Sequence, residues 1–147
     1  MTNKEKNDLF YVCALIEYTA RKTKNHRGDV VKKIGRKGIK RQLKDAQVNH
    51  SLSFEQVSDE IVEKYQLTEG SFDTVSKCKY TVPSYTDIGK LYAVIIENCI
   101  GEEDEAALIE SVFSSFISDE ISKFDTDLYY QNPDYIKESY LAGQLLE

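Results

Sequence analysis

Apolar residues recur every three or four positions along nearly the whole chain, the spacing of helices that each bury one face. Between Asp8 and Lys24, Leu9, Val12, Cys13, Ile16 and Ala20 form one such face, and Phe10, Ala14 and Leu15 widen it enough to predict a central helix capped by Asn7 or Asp8. A short second helix is expected over Val30–Ile34, capped by Asp29 and stopped by Gly35 in the left-handed conformation. A third spans about Lys37–Gln47, with Ile39, Leu43 and Ala46 inward and Lys37, Lys40, Arg41 and Lys44 outward. Ser53 opens a fourth, with Gln56 at the capping-box position and Phe54, Val57, Ile61 and Tyr65 as its buried stripe.

Gln66–Ser84 breaks the rhythm. Gly70, Ser71, Asp73 and Pro83 punctuate it, Lys79–Val82 reads as a short extended piece, and Phe72, Tyr80 and Tyr85 are the side chains available to pin it down. Helical spacing resumes from Thr86 or Asp87 through Ile88, Leu91, Tyr92, Ile95, Ile96 and Cys99 to a stop at Gly101. A sixth helix is predicted over Glu103–Phe124, and a last over Pro133–Ala142, launched by Asn132-Pro133 and stopped by Gly143. The expected fold is all-α, a single compact bundle of six or seven helices. It divides into a basic half (1–65), an irregular connection (66–85) and an acidic half (86–147).

Composition supports a folded domain. The chain has 147 residues, a 41% hydrophobic fraction and only 2 prolines. No apolar run approaches the roughly 20 residues that cross a bilayer, and the opening MTNKEKND lacks a leader's apolar stretch, so a cytoplasmic address without membrane contact is expected. Cys13, Cys78 and Cys99 share no metal-type spacing and read as structural thiols. With His26 and His50 as the only histidines, no metal site and no cofactor is expected.

Nothing in the chain announces catalysis. It has no nucleophile elbow, no phosphate loop and no His-Glu-x-x-His. The pairs Asp59-Glu60 and Asp119-Glu120 sit on helices, where adjacent side chains diverge by about 100° and do not converge for acid–base work. His50 reads as a turn histidine whose ring bonds a helix-end carbonyl. The chain is therefore expected not to be an enzyme.

Charge changes the picture most. Arg21–Lys44 holds eleven of the 19 Lys and Arg residues and one of the 25 acids, a local +10 that leaves −16 elsewhere and a net of −6. Helix, glycine turn and basic helix make a helix-turn-helix-like outline, so Lys33, Arg36, Lys37, Lys40, Arg41 and Lys44 are the candidates for contact with a partner or with nucleic acid. Duplex suits the segment better than single strands, because no aromatic lies between Tyr18 and Phe54 to stack on bases. A solvated lysine surface is the plain alternative. A third reading pairs the segment with Leu91–Ser122, which has eight acids and no Lys or Arg, within the fold or in self-association. Tyr129, Tyr130, Tyr135 and Tyr140 are candidates for an interface, or for the core of a chain without tryptophan.

Three pieces carry a resemblance: the helix Leu9-Phe10-Tyr11-Val12-Cys13-Ala14-Leu15-Ile16-Glu17, the turn Val48-Asn49-His50-Ser51, and Val57-Ser58-Asp59-Glu60-Ile61-Val62, with an acidic pair between aliphatics. In these the first 65 residues resemble a family of small helical bacterial domains of unknown function, common in gut Firmicutes and often encoded beside ADP-ribosyltransferase-like proteins. The chain departs from that family at Asn49, where an aliphatic is expected, and in its strongly basic second and third helices. The resemblance implies an antitoxin-like or accessory partner role; with the missing catalytic motifs and the charged faces, the expectation is a non-catalytic protein–protein interaction module, antitoxin-like or regulatory, that meets an acidic protein partner or self-associates. Duplex nucleic-acid binding is the alternative.

Overall fold

The structure, a computed structural model, describes residues 1–147. Seven α-helices follow in order: α1 (Asn3–Thr23), α2 (Arg27–Asn49), α3 (Phe54–Tyr65), α4 (Tyr85–Cys99), α5 (Glu105–Ser114), α6 (Phe116–Ile121) and α7 (Pro133–Ala142), with a 3-10 turn at Leu128–Tyr130 before the last. No strand occurs, and no helix is long and apolar enough to cross a membrane.

The apolar face of α1 explains its position. Leu9, Val12, Cys13, Ile16 and Ala20 are all buried, as are Tyr11, Ala14 and Leu15, so the helix is covered on almost every side by α4, α2 and α3. It begins five residues before the expected start. Thr2 caps it through a capping box with Glu5, whose carboxylate accepts from the Thr2 amide at 3.1 Å while the Thr2 hydroxyl accepts from the Glu5 amide at 3.1 Å. Reciprocal satisfaction of two free amides outcompetes a single cap at Asn7 or Asp8.

The second and third expected helices both form and run end to end as α2, broken where expected. Gly35 takes a positive φ, 74°, with ψ at 163°, so the first helical segment ends there and the second starts at Arg36 across a kink. The N-cap is His26, not Asp29, which lies in the first turn. A break that was not expected shapes the acidic half. The expected Glu103–Phe124 helix divides at Ser115, which is extended (ψ 167°) and caps the end of α5 and the start of α6. Its hydroxyl donates to the Val112 carbonyl at 2.7 Å and accepts from the Ile117 amide at 3.3 Å, the local bonding by which serine competes with the helix ladder. The break keeps Val112, Phe113, Ile117 and Ile121 all inside the core.

Elsewhere sequence and structure agree closely. Ser53 and Gln56 form the expected box at α3, while Asn132, Pro133 and Gly143 bound α7 as expected. The fifth helix starts at Tyr85, with Ser84 as its cap. The 66–84 connection contains no strand. It is strapped to the α1–α2 junction by the Gly70 amide on the Thr23 carbonyl at 2.8 Å and the Phe72 amide on the Lys24 carbonyl at 2.9 Å. Phe72 stacks on His26 with ring centroids 3.9 Å apart, and Tyr85 packs edge-on against Tyr18 and Phe54. Tyr80 pins nothing; it is 66% exposed.

Candidate binding surface

Residue spacing puts the cations of the basic segment along the outer side of α2, where they divide into two groups. Arg36 reaches Glu110 of α5 at 3.0 Å, Lys40 reaches Asp104 at 3.5 Å, and Arg41 is held by Asp45 one turn on at 2.9 Å. Part of the acidic half thus meets the basic segment inside the fold, because α2 and α5 pack side by side. Lys33, Lys37 and Lys44, with their neighbour Lys32, are exposed and stand in no ion pair.

The break at Gly35 bears on the outline expected here. Two helices of a helix-turn-helix are set at a large angle by a turn of about three to four residues. Here two helical segments meet across a kink at a single non-helical residue, Gly35, and Lys37, Lys40, Arg41 and Lys44 form a stripe along the flank of the second. The C-terminal end of α3 adds two residues that sequence reasoning did not single out for the site. Lys64 and Tyr65 close the far side of a groove of 520 Å³ against Ile34, Lys37, Gly38, Lys40, Arg41 and Lys44. No carboxylate lines it. Gly38 leaves room for the tyrosine: a Cβ there would lie 2.8 Å from the Tyr65 hydroxyl oxygen and 2.7 Å from Ile34 Cγ2, so a side chain at this position would push those side-chain ends aside.

The chain matches no known family model, no curated protein and no solved structure. The reading of the surface therefore rests on its geometry and charge.

The four tyrosines are not equivalent. Tyr140 shares a 2.6 Å hydrogen bond with Ser111, Tyr135 donates to the Leu146 carbonyl at 2.5 Å, and Tyr129 packs edge-on against Phe124, so all three are half-buried and tied to the fold. Tyr130, 76% exposed, alone offers most of its ring to solvent. His50 makes no bond to a helix-end carbonyl. The Tyr11 hydroxyl makes that contact instead, on Asn49 at 3.4 Å, and the imidazole rests on the Tyr11 ring with centroids 4.4 Å apart. No three His, Cys, Asp or Glu side chains come together as a metal-ligand set, and all three cysteines are free.

One charged cluster lies in the core. Glu17 is 0% exposed and Arg27 1%. Arg27 donates to both carboxylate oxygens, Nε to Oε1 at 2.9 Å and Nη2 to Oε2 at 2.6 Å, and Arg21 Nε adds a third bond to Oε2 at 2.7 Å. Burial pushes the Glu17 carboxyl up, but the charges and hydrogen bonds of Arg27 and then Arg21 outweigh it and hold the pKa below its ordinary 4.5. The sequence did carry a signal. Glu17 falls on the inward face of the α1 stripe, four residues before Arg21, where a lone acid among apolar positions needs a partner.

Proposed function

We propose that this chain is a non-catalytic interaction module, a regulatory or antitoxin-like partner whose basic face docks on an acidic protein. The observation that carries the reading is the division of the α2 cations. Arg36 and Lys40 hold carboxylates at α5 and Arg41 holds Asp45 of its own helix, while Lys32, Lys33, Lys37 and Lys44 stand exposed and unpaired beside them. A surface that meets carboxylates along one edge is ready to take more from a partner along the other, with charge complementarity setting approach and register. The duplex reading shares the charge, but a long polyanion would also run over the acids of α3 and α5.

The test is capture from the native host at about 50 mM salt, where surface charge is little screened. An acidic protein is expected with the wild-type chain and is expected to be lost from a Lys32→Glu/Lys33→Glu/Lys37→Glu/Lys44→Glu variant of unchanged helicity. Recovery of the chain alone, or of the same partner by both forms, would overturn the reading.

A further inference from the structure

The groove between α2 and α3 has a chemistry narrower than that of the open lysine face around it. Lys37, Lys40, Arg41 and Lys44 recur at i, i+3, i+4 and i+7, a line of cations about 10 Å long on one side of the helix. Lys64 stands opposite, with its ammonium 5.4 Å from the centre of the Tyr65 ring. Of these five cations two have carboxylates at the rim, Lys40 with Asp104 and Arg41 with Asp45, which leaves three positive charges facing one recess. No acid inside the groove offsets them.

We propose that this groove is a binding site for a compact polyphosphate, a chain of linked phosphate groups such as inorganic tripolyphosphate or the triphosphate of a nucleotide. Length and charge argue against a single phosphate, which would meet only part of the line and neutralise only part of the excess. Lysine ammoniums act as point charges that donate to phosphate oxygens in many directions, whereas planar carboxylates favour the bidentate guanidinium fork, and Arg41 is already engaged by Asp45. The Tyr65 hydroxyl, held against α2 by the missing side chain of Gly38, adds a neutral donor at the floor. An extended polyanion is disfavoured by the outer face of α3, where Glu55, Asp59, Glu60 and Glu63 are exposed beside Lys64. The ring of Tyr65 already carries Lys64, so a nucleotide base gains no platform and the phosphate chain is the recognised part.

The proposal does not rest on partner docking, since Lys64 and Tyr65 play no part in that reading. It is tested by calorimetric titration of the full chain with inorganic tripolyphosphate at about 50 mM salt. Saturable one-to-one binding is expected, with ATP equal to tripolyphosphate within about threefold and citrate, a carboxylate trianion, at least about tenfold weaker. Lys64→Glu and Lys37→Glu should each weaken binding by about tenfold or more, and Tyr65→Phe by a few-fold, while Lys32→Glu, outside the groove, should change it by less than about twofold. Absence of saturable binding, equal affinity for citrate, or an unaffected Lys64→Glu variant would overturn the proposal. Tighter one-to-one binding of a short DNA duplex, lost in the same variants, would overturn it in favour of nucleic acid.

Discussion

Replacing Glu17 with glutamine is expected to destabilise the fold by about 3–5 kcal/mol, the cost of leaving a buried charge without its partner. Glutamine keeps the shape of the side chain but removes the carboxylate that accepts both bonds of the Arg27 guanidinium, which is 1% exposed. Arg21 has a partial escape, because its side chain is 16% exposed and already lies over the Phe124 ring at 4.9 Å. For a domain of this size the loss corresponds to a fall in Tm on the order of 10 °C, measured by calorimetry or thermal circular dichroism. Removing charge from both partners should behave differently. Glu17→Met with Arg27→Met leaves only the partly exposed Arg21 without its carboxylate and should be closer to wild type than Glu17→Gln alone. If the single variant is as stable as wild type, the ion pair is not the pin described here.

The same group sets an acid limb. Because the folded-state pKa of Glu17 is held below its ordinary 4.5, its contribution is fully present above that value and is lost as pH falls through the depressed folded value. Wild-type stability should therefore decline as pH drops below about 4.5, and Glu17→Gln should show a shallower decline over that window. A parallel pH dependence in the two proteins would assign the acid limb to other carboxylates.

Much of this fold is legible from local rules because its helices begin and end on residues with a single good use. Ser53-Phe54-Glu55-Gln56 and Asn132-Pro133 satisfy free amides at a helix start, and Gly143 accepts the left-handed turn that ends α7. The breaks differ in how they are marked. Gly35 takes its positive φ and separates two helical segments as its residue type predicts, while Ser115 ends a helix without any glycine or proline to mark it. What decides each case is whether the following apolar residues can stay in the core, a tertiary question that spacing along one helix does not answer.

The candidate surface shows the same division. Charge content alone placed Lys33, Arg36, Lys37, Lys40, Arg41 and Lys44 on one basic segment, and they do lie along the outer side of α2. Which of them are already spent on Glu110, Asp104 and Asp45 is settled by the packing of α5 beside α2. Lys64 and Tyr65 belong to a helix of which the sequence marks only the cap and a buried stripe, with Tyr65 on that stripe. Their place in the groove follows from how α3 packs against α2 beside Gly38, which spacing within either helix does not reveal.

Gly89 is the sharpest instance of a close approach, and Gly89→Ala is expected to destabilise the fold by about 3 kcal/mol or more. Taken alone, the substitution should help, since alanine is favoured over glycine inside a helix by about 1 kcal/mol. Here α4 crosses α1 so tightly that a Cβ at position 89 would lie 2.6 Å from the Ala14 Cα and 2.7 Å from its amide nitrogen and Cβ. Two of those three atoms are backbone, so no rotamer change relieves the clash; the two helices must separate. Separation loosens contacts at the centre of the core, where Cys13, Ala14, Ile88, Ile95 and Ile96 are all buried. Overpacking should therefore outweigh helix propensity and give the variant a net loss, read as a lower midpoint in urea. Adding Ala14→Gly removes one of the three clashing atoms and should recover only part of the loss. A Gly89→Ala variant more stable than wild type would mean that α1 and α4 do not cross in backbone contact at this point.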